Sequence, residues 1–174
     1  MSVSPRILRV FAMGALVLLS ATPAVSQKAE RTSASLSELE LAVKLHPLDP
    51  KPRVTLGLAY WDRNDYAHAL ETFRQAVKVG PNSAEAHNWL GVALMGKADL
   101  AGAVAEFKKT LSLNPKFVRA HVNLGSALAR SGDLGGSIKA FRNALALEPN
   151  NLAAHSNLGL ALRETGDSTG ALVH

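Results

Sequence analysis

Apolar and polar positions along this chain recur on a fixed beat. Prolines stand at Pro47, Pro81, Pro115 and Pro149, and Leu-Gly pairs at Leu56-Gly57, Leu90-Gly91, Leu124-Gly125 and Leu158-Gly159. Aspartates follow at Asp65, Asp99, Asp133 and Asp167, and phenylalanines at Phe73, Phe107 and Phe141. Every set steps by 34 residues, and a period of that length marks a repeat architecture. Inside each unit the apolar residues fall three and four apart, the spacing of a helix rather than a strand. In the third unit Ala120, Leu124, Ala127, Leu128 and Ser131 form one such stripe, the expected inward face of its first helix.

Punctuation residues split each unit into two helices. In the first unit, residues 50–83, Asp49 is the expected N-cap with Pro50 at the first helical position. That helix runs to about Arg63. Asn64-Asp65 makes the turn: Asn tolerates the left-handed conformation and Asp caps the helix that follows. The second helix runs from Tyr66 to Val79 and stops at Gly80-Pro81. The second unit, 84–117, turns at Lys97-Ala98-Asp99 and stops at Asn114-Pro115. The third, 118–151, turns at Gly132-Asp133 and stops at Pro149. Gly132, Gly135 and Gly136 read as a turn, not a phosphate-binding loop.

The fourth unit, 152–174, turns at Gly166-Asp167 and reaches only half-way through its second helix. Leu158 and Leu162 are therefore expected to lack a cover, which points to a fragment of a longer protein or to a frayed or self-associating end. Ahead of the first unit, residues 34–49 carry Leu36, Leu41, Ala42 and Leu45 before Pro47. This predicts a solitary helix, a degenerate half repeat acting as an N-terminal cap.

Composition refines the picture. Hydrophobic residues make up 47% of the chain and aromatic residues only 5%, so the core is built mainly from small side chains on closely packed helices. Residues 1–26 read as a signal peptide: Arg6 and Arg9 form a basic start, Val10 to Leu19 an apolar run short for a bilayer, and Ala24-Val25-Ser26 a small-residue exit. An uncleaved membrane anchor is the competing reading. Residues 27–33 are polar and aperiodic, a flexible linker. The net charge of +5 owes two cations to the leader; without it 17 basic residues face 14 acidic ones. These are interspersed, which gives a nucleic-acid partner little support. With no cysteine there is neither a disulfide framework nor a lipid-attachment motif, and export to a bacterial periplasm is the expectation.

The pattern inside each unit resembles the tetratricopeptide repeat, whose signature lies at positions 4, 7, 8, 11, 20, 24, 27 and 32. The third unit carries His121, Leu124, Gly125, Leu128, Ser137, Phe141, Ala144 and Pro149 there, and the first Arg53, Leu56, Gly57, Tyr60, Ala69, Phe73, Ala76 and Pro81. The second has Thr110 in place of Ala at position 27, and the fourth matches through Leu158, Gly159, Leu162 and Ala171. The resemblance implies an all-α fold, a right-handed α-solenoid of helical hairpins whose first helices line a concave groove that holds peptides.

A polar stripe remains on those first helices. In the third unit it is Arg119, Asn123, Ser126 and Arg130, spaced so that all four share one face. Its equivalents are Lys51, Thr55, Leu58 and Asp62; Glu85, Trp89, Val92 and Gly96; and Ala153, Asn157, Leu160 and Glu164. Asn123 and Asn157 stand at position 6, where repeats of the O-GlcNAc transferase type use Asn to grip a peptide backbone; one amide offers both a donor and an acceptor. A solvated Asn with a local role is the plainer alternative. The chaperone-type carboxylate clamp, with Lys at position 5 and Asn at position 9, is disfavoured by Val54 and Leu58. Trp89 on the stripe and Trp61 beside it are candidate interface anchors, although Trp61 packing against the cap helix is as good a reading. Arg119, Arg130 and Arg163 suit an acidic partner, with a solvated charged face as the alternative.

His87, His121 and His155 recur at position 4, but they do not make a metal site. Ligand nitrogens lie about 2.0–2.1 Å from one ion, whereas equivalent positions in packed helices are about 8–10 Å apart. No nucleophile set, cofactor fingerprint or carboxylate pair can be argued, so no catalysis, cofactor or small-molecule substrate is expected. The expected function is an exported scaffold or adaptor binding an extended peptide or partner protein in the groove. The alternative is an accessory region of a longer enzyme or envelope-assembly complex.

Overall fold

A computed structural model describes residues 35–166. The leader, the linker and everything from Asp167 onward, including the second helix of the fourth unit, lie outside the described residues. Within them there are eight helices and no strand: α1 (Leu36–Leu45), α2 (Pro50–Asp62), α3 (Tyr66–Val79), α4 (Ala84–Gly96), α5 (Leu100–Leu113), α6 (Val118–Arg130), α7 (Leu134–Leu147) and α8 (Leu152–Glu164).

The helix starts are set by the residues that punctuate the sequence. Asp49 accepts from the Lys51 N–H at 2.9 Å, with Pro50 in the first turn. Asp65, Asp99 and Asp133 accept from the N–H groups of His68, Gly102 and Gly136 and cap α3, α5 and α7. The His68 N–H bond, aided by the His68 ring at 2.7 Å, holds the Asp65 carboxyl below its usual range. α6 differs, because Phe117 is at its N-cap and offers no side-chain oxygen. Of the three glycines read as a turn, only Gly132 lies in it; Gly135 and Gly136 belong to the first turn of α7. A Cβ at Gly136 would sit 2.5 Å from Asp133 Oδ2, and the cap there, at 2.8 Å, is shorter than the 3.2 Å cap that His68 makes with Asp65 at the same repeat position.

Each hairpin turns through one left-handed residue at the same place in the repeat: Asn64 (φ 62°), Ala98 (φ 63°), Gly132 (φ 87°) and Gly166 (φ 84°). Three of these residues are of types that suit that conformation and alanine is not, since its Cβ crowds the following carbonyl at a cost of about 1–2 kcal/mol. Ala98→Gly removes the strain, partly offset by the freer unfolded chain. We expect a net gain of about 0.5–1 kcal/mol in urea unfolding; a loss would show that the turn is not strained.

The hairpins close on a ring-on-backbone contact. Phe73, Phe107 and Phe141 are fully buried, and a Cβ built on Gly57, Gly91 or Gly125 would lie 2.5–2.6 Å from Cε1 of the phenylalanine in the same unit. Glycine at position 8 is thus dictated by the ring at position 24. Small residues fill the remainder: Ala69, Ala86, Ala103, Ala120, Ala127, Ala144 and Ala154 are all fully buried.

Packing between units sets the curvature. Successive first helices touch (α2 with α4, α4 with α6, α6 with α8), while α3 with α5 and α5 with α7 do not. The stack therefore closes up on the side of α2, α4, α6 and α8 and opens on the side of α3, α5 and α7. The first helices form the inner wall.

Two expectations about the ends need correction. α1 packs on α2 through half-buried Leu36, Leu39, Ala42 and Val43, whereas Leu41 and Leu45, 54% and 67% exposed, face away. The stripe that touches α2 runs through 36, 39, 42 and 43, a phase that excludes 41 and 45. Leu158 and Leu162 are not uncovered: both are buried, in one cluster with Phe141 and flanked by Ile138 and Leu145 of α7. Their side of α8 faces back into the array. No helix among the described residues is long and apolar enough to cross a membrane.

Candidate functional site

The polar stripe of α6 lies along the seam with α4, and its members are tied across that seam. Asn123 Nδ2 donates to Asn88 Oδ1 at 3.1 Å, and Asn88 is only 1% exposed. Arg130 Nη1 donates to the Met95 carbonyl at 3.1 Å, a second donor on an oxygen that also accepts from the Ala98 N–H at the end of α4. The Arg119 guanidinium sits 5.9 Å from the Trp89 ring centre and 5.8 Å from that of Phe117. Flanked by two aromatic rings, it is held in place by ring quadrupoles while its donors stay at the surface.

The other predicted residues separate into distinct settings. Trp89 is half-buried, its ring stacked on Phe73 at 6.2 Å, so it forms part of the wall rather than standing out from it. Trp61 meets Tyr66 edge-to-face at 4.9 Å and turns towards Gly96 of α4, not towards the cap helix. Ser126 donates to the Val122 carbonyl of its own helix at 3.0 Å. Asn157 is half-buried, and the residue that would mirror Asn88 for it is Val122, which has no side-chain acceptor. Leu58, placed on the stripe by spacing alone, is buried in the core at 6% exposure. Arg163 is exposed. On the wall's first unit, the Tyr60 hydroxyl donates to Glu40 of α1 at 3.2 Å; partial burial and then this bond push it above its usual pKa.

Family comparison settles what such a stack is. A tetratricopeptide repeat model matches residues 54–116 and 93–142, and a second TPR repeat model matches 127–166. Together these cover well over half of the chain. It is a tetratricopeptide repeat protein.

Solved TPR structures agree with the described fold. A crystal structure of MamA superposes with a TM-score of 0.74 at 23% identity, covering 85% of this chain and 86% of that one. The 41-end form of MamA from Desulfovibrio magneticus RS-1 gives 0.75 at 25% identity, covering 87% of each. YrrB, described as a TPR protein with an unusual peptide-binding site, gives 0.70 at 21% identity over 86% of this chain and 77% of its own, a likeness of fold alone. No curated protein matches the sequence.

Within this TPR array the recurring histidines have a structural task. Nε2 of His87, His121 and His155 meets the carbonyl of Pro81, Pro115 and Pro149 at 3.0, 2.9 and 2.7 Å. A carbonyl can only accept, so Nε2 carries the hydrogen in all three and fastens each first helix to the loop that precedes it. The other nitrogen differs by unit. His87 Nδ1 faces Glu106 Oε2 at 2.6 Å, whereas His121 Nδ1 is buried with no partner, because Ala140 occupies the position of Glu106.

Asn88 is the wall residue that pattern reasoning missed. It stands at position 5, one residue before the position at which Asn recurs. A signal was present: Asn88 and Asn123 are 35 residues apart, the repeat plus one, the offset that brings neighbouring helices of a twisted stack into contact.

Proposed function

We propose that this TPR protein is a non-catalytic scaffold or adaptor that holds an extended segment of a partner protein against the inner wall of α2, α4, α6 and α8. The observation that carries the reading is Arg119. Its exposed guanidinium lies 5.9 Å and 5.8 Å from two ring centres, with no salt-bridging carboxylate among the described residues. A planar fork of donors, pre-positioned and unneutralised, suits a carboxylate of an acidic partner segment. Asn157 and the edge of Trp89 add an amide and an aromatic surface on the same wall. Asn123 has one donor committed to Asn88, so its main contribution is to keep the wall rigid.

Export to the periplasm is part of the proposal and rests on the composition of residues 1–26. The binding test is site-specific photo-cross-linking, with a photoreactive residue at Asn157 on α8 or at Arg142 on the outer face of α7. A discrete adduct from position 157, lost in Arg119→Ala and absent from position 142, is the expected result. Equal adducts from both positions would mean that capture is not confined to the inner wall.

A further inference from the structure

Beside the inner wall, at its turn end, lies a depression that the polar stripe does not explain. Where the end of α2 and the start of α3 meet the end of α4, a cavity of about 350 Å³ opens, lined among the described residues by Trp61, Tyr66, Ala93, Gly96 and Lys97. Two aromatic rings set edge-to-face at 72° form one side. The other side is nearly bare backbone, Ala93 being buried and Gly96 having no side chain. The cavity exists because of Gly96: a Cβ there would lie 3.4 Å from Trp61 Cη2, and any longer side chain would occupy the space between.

The rim is positively charged. Lys97 supplies the charge, in the lining itself. A pocket with apolar sides, aromatic rings and one cation at its mouth selects for a particular ligand chemistry. The space suits a buried aromatic anchor of the kind that dominates interfaces, and the rim suits a carboxylate beside it.

We infer that this pocket is a side-chain subsite for an aromatic residue flanked by an acidic residue in the partner segment. The inference rests on the reading of the inner wall as the binding surface and adds the sequence class that the wall selects. It also gives Trp61 a role separate from that of Trp89: Trp61 lines the subsite, while Trp89 stacks in the wall and steadies Arg119.

Three blocked peptides test it on the full chain: acetyl-Gly-Phe-Asp-Gly-amide, its Phe-to-Ala counterpart and its Asp-to-Asn counterpart. The readout is the NMR shift of the Gly96 and Lys97 amides and the Trp61 indole. The Phe-Asp peptide is expected to move these signals. Replacing Phe by Ala should weaken binding by roughly 30-fold or more, the loss typical of a removed anchor. Replacing Asp by Asn should weaken it by up to about 5-fold, the range of an exposed ion pair. Gly96→Leu should abolish the response; Gly96 is helical without a left-handed φ, so leucine there raises helix propensity and leaves the fold intact. An unchanged response in Gly96→Leu, or no response of the three signals to the Phe-Asp peptide, overturns the subsite. If the Asn157 side-chain amide moves while Gly96 and Lys97 stay still, the groove reading stands and the pocket falls. Movement of the same signals with protein concentration alone would show a second copy filling the pocket, which also overturns the proposal.

Discussion

Phe107→Ala is expected to cost about 3–5 kcal/mol in urea unfolding, the range for truncating a buried aromatic. The ring is fully buried at the centre of the array, and its edge rests on the backbone of Gly91. With no side chain at Gly91 to swing inward, the hole cannot be filled locally, so the cavity part of the cost is paid nearly in full. The ring also braces α4 against α5, and each unit depends on its neighbours. Loss of this contact should lower hydrogen-exchange protection in α4 and α5 before it does so in α2. A cost under about 1 kcal/mol would be incompatible with a core position.

Leu158→Ala should cost about 2–5 kcal/mol, which separates two pictures of the last unit. Were Leu158 an open face at the end of the stack, truncation would stay within about 0.5 kcal/mol, as surface changes do. Its full burial with Phe141 and Leu162 places it in the cluster that joins α8 to the third unit. Denaturant midpoints of the wild type and the variant decide the matter, and an unchanged midpoint would remove α8 from the core.

The features that were legible in the sequence are those decided within one hairpin. The Asp caps, the left-handed turn residue and the pairing of Gly125 with Phe141 each depend on fixed spacings along the chain. A spacing of 16 residues between Leu-Gly and Phe, repeated three times, already implies the contact between ring and bare backbone. The arrangement across units was not legible, because it depends on how far each hairpin rotates on the one before. That rotation decides that Leu58 turns into the core although it shares a repeat position with Ser126. It brings Asn123 to Asn88 and Arg130 to the Met95 carbonyl. It also leaves Trp61 facing the gap above Gly96, so that a residue notable only for lacking a side chain shapes the pocket. α1 shows the same limit at shorter range: six apolar residues fall close together, and only contact with α2 decides which of them turn inward.

The tethers across the inner wall are unevenly distributed. Among the described residues, the Asn88–Asn123 and Met95–Arg130 hydrogen bonds and the Trp89–Arg119 contact all join the second unit to the third, while the first unit meets the second through apolar packing, with Trp89 on Phe73 and Trp61 towards Gly96. Bending this molecule would therefore not spread evenly along its length. Hydrogen bonds have a preferred direction and apolar contacts do not, so the seam between the second and third units would hold its alignment while the seam before it, where Trp61 faces Gly96, could slide without losing burial. Flexure there would change the width of the opening while the Arg119 anchor point keeps its shape.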